Sequence, residues 1–295
     1  MSEQRAGLRQ IPIPVVVVGP GSQPEEDTLD YMVMPRGMDT YVPPSMPEPE
    51  QMAGHEAVLG VLGDIVRALE ARLSGQPAAP ISLDDLHAED RALVNQILGE
   101  GEVGVQVAPE AGRGAVRVQE SIFAGVWRVV RADADGRVHD CVEIGAIPAI
   151  VPESARAGAS GPDVALDVPE APPGVMNAPS ILSEIADARR AAQPGQDAHV
   201  VNLTLLPLSP DDIGFMDHVL GTGPVTILSR GYGNCRITST RTGNVWRVVY
   251  YNSQDVVILN SVEVVDVPEV ACAAEEDLRD SVERLREVMA WMHAS

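Results

Sequence analysis

Residues 244–251 read "NVWRVVYY", and residues 125–130 read "GVWRVV". The chain has only three tryptophans and 3% aromatic residues, so a Val-Trp-Arg-Val-Val phrase that takes two of the three is a strong internal signal. Working outward from it, more phrases fall into register. Upstream, "ILGEGEV" (97–103) answers "VLGTGPV" (219–225), and "ISLDDLHAED" (81–90) answers "LTLLPLSPDD" (203–212). Downstream, "VEIGAIPAI" (142–150) answers "VEVVDVPEV" (262–270), and far upstream "LGDI" (62–65) faintly answers "LSEI" (182–185). The period is too long for a solenoid repeat, so the pattern reads as two copies of a domain-sized unit.

Each copy has the same internal order. A stretch of helical spacing comes first: 56–73, with Val58, Leu59, Leu62, Ile65, Val66, Leu69 and Leu73 on one face, and 179–192 in the second copy. A short apolar strand or turn follows, then a second helix (84–98; 209–220) stopped by Gly99 or Gly221. Four β-rich runs close the unit, in the second copy 224–229, 234–240, 245–252 and 255–265. Their separators "RGYG", "RTGN" and "NSQD" are turn chemistry, which predicts an antiparallel meander. The expected fold is α+β: two homologous helix-plus-antiparallel-meander units related by internal duplication, with an N-terminal arm and a C-terminal helix. The expected divisions are 1–51 (a strand at 13–18 and a Met- and Pro-rich arm), 52–152 (first unit), 153–173 (a Pro/Gly/Ala/Ser-rich linker) and 174–295 (second unit with an amphipathic helix at 275–292).

A formal charge of −22, with every basic side chain an arginine, narrows the partner classes. Such a field repels phosphate backbones and anionic lipid, so nucleic acid and membrane insertion are excluded as expectations, while a basic peptide or patch would be attracted. Excess acid also serves solubility alone. No run approaches a membrane span, and the prolines at 12 and 14 break the only N-terminal apolar run. Three cysteines without CxxC spacing form neither a disulfide framework nor a zinc site, which points to a reducing cytoplasm.

Features that both copies keep read as fold: the Leu-Gly-x-Gly turn, Trp127 and Trp246 as core, and Arg128 and Arg247 on the opposite strand face, expected to pair with Glu143 and Glu263. Features of one copy alone are better candidates for function. The second copy has "SRGYGNCRITST" (229–240), and Arg230, Gly231, Tyr232, Gly233, Asn234 and Cys235 are read as a partner-binding loop, together with Cys272. The same glycines also suit a plain hairpin. Arg236 beside Cys235, and a helix start after Cys272, would each modestly favour a thiolate, but the buried inert thiol is the preferred reading at both positions. "VVVVGPGSQP" (15–24) mimics a dinucleotide fingerprint without its third glycine or following helix. The histidines are scattered, and no GxSxG or Cys–His pair stands out. No catalytic residue, metal site or cofactor is expected.

From 202 to 279 the chain reads "NLTLLPLSPDDIGFMDHVLGTGPVTILSRGYGNCRITSTRTGNVWRVVYYNSQDVVILNSVEVVDVPEVACAAEEDLR". This resembles the HupH/HyaF family of hydrogenase expression and maturation proteins, with "LLPLSP", "GPVTILSRGYGNCR", "YYNSQD" and "EVVDVPEVACAAEEDL" together and in order. "GPGSQPEED" and "PRGMDTY" near the N-terminus look like family features too, while 50–175 is similar only loosely. The resemblance implies a non-enzymatic cytoplasmic factor for an uptake-type NiFe hydrogenase. Its implied partner is the precursor of the iron–sulfur-bearing small subunit, bound before twin-arginine export at its signal peptide or its mature part, alongside other maturation factors. A factor that handles thiol redox or iron–sulfur clusters through Cys235 and Cys272 is the alternative.

Overall fold

In the first helix, α1 (Glu56–Leu73), Val58, Val61, Leu62, Ile65, Val66 and Leu69 recur at helical spacing and are all buried. The chain is seen here as a computed structural model that describes residues 46–52, 54–109, 114–133, 135–160, 166–193, 195–231 and 233–293. The expected strand at 13–18 and the arm up to residue 45 lie outside them.

After α1 come β1 (Ile81–Ser82), α2 (Ala88–Leu98), β2 (Val103–Val107), β3 (Val116–Glu120), β4 (Val126–Ala132) and β5 (Val138–Ile144). Helix α2 begins four residues later than its acidic run predicts. The Asp84 carboxylate accepts the Asp140 N–H and a hydrogen bond from His139, which ties that segment to β5 instead. Helix α3 (Ile150–Ala157) then runs into the stretch read as a linker, and it is anchored by buried Val151 and Ser154. The order repeats with α4 (Ala178–Ala191), β6 (His199–Asn202), α5 (Pro210–Leu220), β7 (Val225–Ser229), β8 (Asn234–Ser239), β9 (Val245–Tyr251) and β10 (Val257–Val264), and α6 (Glu275–His293) ends the described chain.

All ten strands form one antiparallel sheet in the order β1-β5-β4-β3-β2-β7-β8-β9-β10-β6. The order is palindromic about the β2–β7 pair, where Val105 stands opposite Ile227. One face carries Trp127, Trp246, the inward valines of β2 and β3, Val225 and Ile227 of β7 and Ile237 of β8, covered by Val151 of α3 and Ala271 of a 3-10 turn (Glu269–Ala271). Each indole N–H donates to a backbone carbonyl, Trp127 to Gly145 at 2.8 Å and Trp246 to Asp266 at 3.1 Å. On the other face, α1, α2 and α6 cluster with Val126 and Val142 at one end, and α4 and α5 with Val262 and Val264 at the other. Helix α6, next in sequence to the second set of elements, packs on the first. Its Leu278, Val282, Leu285 and Met292 join the core of α1.

The turn from helix to sheet is the same in both places. Gly99 and Gly221 end their helices at φ 57° and 65°. Two residues on, Gly101 and Gly223 pass so close to the neighbouring strand end that a Cβ would fall 2.3 Å from the Ser121 carbonyl or 2.4 Å from the Ser239 hydroxyl. Both phrases therefore need their second glycine for space.

The expected partners of the two strand arginines are corrected. Trp127 stands opposite Glu143, and Trp246 opposite Glu263. Residues directly opposite share a face, so both glutamates lie on the tryptophan side and the arginines on the other. Arg128 instead makes a two-pronged contact with Asp140 (3.0 and 2.7 Å), and Arg247 pairs with Asp217 of α5 at 3.0 Å.

Candidate functional site

Between the two helix groups no helix of the described residues covers the second face of the sheet, although Val249 on this face is buried. The register there turns alternate residues of β2, β3, β4, β7, β8 and β9 toward the gap: Gly104 and Gln106, Arg117 and Gln119, Arg128 and Val130, Thr226 and Leu228, Arg236 and Thr238, Arg247 and Val249. A cleft of about 580 Å³ opens on the β2–β3 side of this floor, rimmed at one end by Glu100, Glu102 and Arg230. Four arginines and no carboxylate make up this floor, in a chain with 43 acidic and 21 basic residues. The acids Asp140 and Asp217 flank it and steer Arg128 and Arg247 from the sides. The Arg236 guanidinium lies 5.8 Å above the Tyr251 ring, a cation–π contact that holds it flat. Gln119 donates to the carbonyls of Gly101 and Val103 at 3.3 Å, which fixes its amide across the end of β2.

The loop singled out in the sequence sits at the rim of this cleft. The Arg230 N–H donates to the Glu102 carbonyl at 3.1 Å. Gly231 lies against the Glu102 side chain, where a Cβ would come 2.1 Å from the carboxylate. Gly233 holds φ 105° and leads into Asn234 at the start of β8. Tyr232 lies outside the described residues.

The cysteines go elsewhere. Cys235 faces the tryptophan core, 3% exposed, and is hydrogen-bonded to the Tyr250 hydroxyl. Arg236 points to the opposite face, so it does not favour the thiolate, and burial pushes the Cys235 thiol up to about 12. Cys272 ends the 3-10 turn, its thiol bonded to the Pro268 carbonyl at 3.7 Å, and burial pushes it to about 11. Neither placement favours a thiolate, in keeping with the reading of both as buried inert thiols, and each sulfur has its own partner. No group of three or more His, Cys, Asp or Glu among the described residues could hold a metal ion.

Burial also raises three carboxyls on the tryptophan face, Glu120, Glu143 and Glu263. Glu120 goes furthest, to about 7, although the Gly125 and Val103 N–H groups partly offset its desolvation. Asp212 behaves in the opposite way. Its burial alone would raise it, but N–H groups of Ala178, Ser209 and Asn177 and the Ser209 hydroxyl outweigh that and hold it well below the carboxylate range.

Sequence reading missed the floor arginines Arg117 and Arg236. The signal was available, because they stand 119 residues apart, the same offset as the Val-Trp-Arg phrase.

The family model described as "HupH hydrogenase expression protein, C-terminal conserved region" matches residues 57–159 and 175–292. The hydrogenase expression/formation protein HoxQ of Cupriavidus necator is 54% identical over 97% of this chain and 99% of its own length. The hydrogenase-1 operon protein HyaF of Escherichia coli is 34% identical over 94% of this chain and 95% of its own. A solved chain described as hydrogenase expression protein HupH from Thiobacillus denitrificans aligns with 39% of this chain and 95% of its own, at 29% identity and a TM-score of 0.37.

Proposed function

From the premise that this chain belongs to the HupH family of hydrogenase expression proteins, we propose that it is a non-enzymatic, cytoplasmic accessory factor of NiFe-hydrogenase maturation. It holds the immature small subunit before twin-arginine export. The observation that carries this reading is the likeness along nearly the whole chain to proteins named for hydrogenase expression and formation. A formal chain charge of −22 favours a client with a basic signal peptide. No helix among the described residues is long and apolar enough to cross a membrane. The loop Arg230–Asn234, at the cleft rim, is the contact surface in this proposal, with Cys235 as internal packing rather than chemistry. The thiol-redox alternative has less support, since burial holds all three thiols in their protonated form at neutral pH.

The proposal includes an internal duplication, with one copy over roughly 52–152 and the other over roughly 172–272. It is supported by the repeated element order, by the palindromic sheet, and by the family region matching at 57–159 and 175–292. Local detail supports it further. Ser121 and Thr240 make the same hydroxyl-to-carbonyl turn before β4 and β9. The third residues of α2 and α5, Asp90 and Asp212, both reach the N-terminus of the preceding helix, at His55 and Ala178.

The test is affinity capture of the tagged full-length protein from cells making the hydrogenase, read by mass spectrometry at low and high salt. The expected result is the small-subunit precursor, weakening as salt rises because exposed charges are screened beyond about 8 Å at physiological ionic strength. Recovery of the large subunit alone would overturn the choice of client, and binding indifferent to salt would overturn the electrostatic attraction.

A further inference from the structure

We propose that the β8–β9 half of the arginine floor is covered by a segment of this chain itself, the acidic stretch "EEDTLDYM" at 25–32. This part of the surface is then closed by the protein's own N-terminal arm, whichever client the protein holds.

An asymmetry between two matching places carries the inference. The Val-Trp-Arg phrase sets Arg128 and Val130 on β4 and Arg247 and Val249 on β9, all four turned to the same face. Arg128 keeps 33% of its side-chain surface exposed and Arg247 only 16%. Val130 is half-buried, whereas Val249 is 4% exposed. Val249 nevertheless joins none of the three apolar clusters of the described residues. Tyr251, two residues along the same strand face, and Arg236, directly opposite, wall it on two sides. Arg236, Arg247 and Tyr251 all have interaction partners, while Arg117 on the β2–β3 side is exposed. Burial thus concentrates on the β8–β9 half of the floor, and the cleft half stays exposed.

Charge, composition and reach select the occupant. Arg236 and Arg247 are diagonal neighbours on adjacent strands, which brings their Cβ atoms within about 7–8 Å of each other. A cover for this corner needs carboxylates for the guanidinium groups and, close by in sequence, an apolar side chain for Val249. Within 1–45 only the stretch 25–32 joins a run of acids (Glu25, Glu26, Asp27) to apolar residues (Leu29, Tyr31, Met32). The described chain begins at Met46, packed on the α1–α6 core with Val126 of β4 and Val142 of β5. From β5 to β8 is five strand spacings, about 24 Å. The chain between Asp30 and Met46 extends to about 53 Å, so the stretch reaches the floor with slack. Tethering gives it an effective concentration on the order of millimolar, at which a few charge-assisted contacts hold it in place.

The chain contains no lysine, which makes the contact readable. The full-length variant Arg236→Lys has a single side-chain amine, and a water-soluble carbodiimide joins it by an amide bond to a carboxylate in contact with it. Trypsin digestion and mass spectrometry then identify the peptide that carries the carboxylate. Coupling is expected to the peptide 10–36, at residues 25–30, and about tenfold less from Arg117→Lys on the cleft side. A mixture of isotopically light and heavy protein should show that the coupling stays within one chain. Coupling instead to Glu102 at the cleft rim, to Asp163 of the linker, to a second copy or to nothing would overturn the proposal, as would equal coupling from both lysines. The unsubstituted full-length chain gives an independent reading with phenylglyoxal, which adds to accessible guanidinium groups. Arg236 should react about tenfold more slowly than Arg117, and Glu25→Gln/Glu26→Gln/Asp27→Asn/Asp30→Asn should remove most of that protection. Protection that survives the four substitutions would leave Arg236 shielded by its neighbours on the sheet, and overturn the arm as its cover.

Discussion

Glu120 shows how a single carboxyl in the sheet sets a pH dependence for the whole fold. It stands opposite Trp127 on the buried face, 8% exposed, and desolvation lifts its pKa from 4.5 to about 7. The folded state therefore keeps a proton that the unfolded state releases between pH 4.5 and 7. Stability is full below the lower value and is lost as pH rises through the window, by up to about 3 kcal/mol for a shift of this size. Glu120→Gln removes the titration while keeping an oxygen to accept the Gly125 and Val103 N–H groups. Urea denaturation should find the variant about as stable as the parent at pH 4.5 and about 1–3 kcal/mol more stable at pH 8. An equal difference at both pH values would show that the side chain acts through shape alone. Sequence reading had no hold on this residue. Its burial follows from strand register, and its counterpart in the second half of the chain, by hydrogen-bonding position, is Ser239, whose hydroxyl accepts the Val225 N–H. The same blindness misplaced the partners of Arg128 and Arg247, since choosing between Glu143 and Asp140 requires knowing which residues face each other.

Elements were far more legible than pairings. Helix α1 coincides with the apolar stripe over 56–73, and β7 to β10 fall within a residue or two of the four β-rich runs, because periodicity and turn residues are local signals. Helix α3 was hidden in a stretch whose Pro, Gly and Ala content reads as linker, and only the burial of Val151 against the sheet reveals why it forms. The Leu-Gly-x-Gly turn, visible as a repeated phrase, has a physical reason that only the structure supplies, and it makes a prediction at this scale. Gly101→Ala places a methyl against the Ser121 carbonyl and should lower stability by about 1–3 kcal/mol, as overpacking does. Gly60→Ala, on the exposed side of α1 with nothing within 4 Å, should raise it by about 0.5–1 kcal/mol through helix propensity. Opposite signs in paired thermal melts are the expected outcome. A Gly101→Ala protein as stable as the parent would mean that the turn relaxes without cost.

At the scale of the whole molecule, the central question is whether two similar sets of elements behave as one body or two. Sequence offered only the repetition, because the joining of the meanders through β2 and β7 is a contact between strands more than a hundred residues apart and leaves no local trace. Two features of the fold argue for one body. The tryptophan-side core runs without a break from Trp127 and Val129 through Val105 and Ile227 to Trp246 and Val248. Helix α6, reached only after β10, completes the other core at the opposite end. There its Ser281 and Arg284 side chains bond the carbonyls of Ala124 and Ile122, and Arg286 pairs with Glu70 of α1. Loosening the second half thus strands the last helix, and loosening the first exposes α6 and one side of the shared core. The expected behaviour is a single cooperative transition. The two buried tryptophans report on the two halves, so each can be watched alone: Trp127→Phe leaves the indole of β9 as the core reporter, and Trp246→Phe that of β4, in a background where the half-exposed Trp291 is also Phe. Each core variant should lose some stability, and within each the fluorescence transition should coincide in urea with that of far-UV circular dichroism. An Ile227→Asp substitution at the joint, which buries an unpaired charge between the halves, should lower the midpoint seen from either tryptophan. Fluorescence and dichroism midpoints that part by more than about 0.5 M urea, or a joint substitution felt from β9 and not from β4, would mean that the sheet is continuous in geometry while its halves unfold independently.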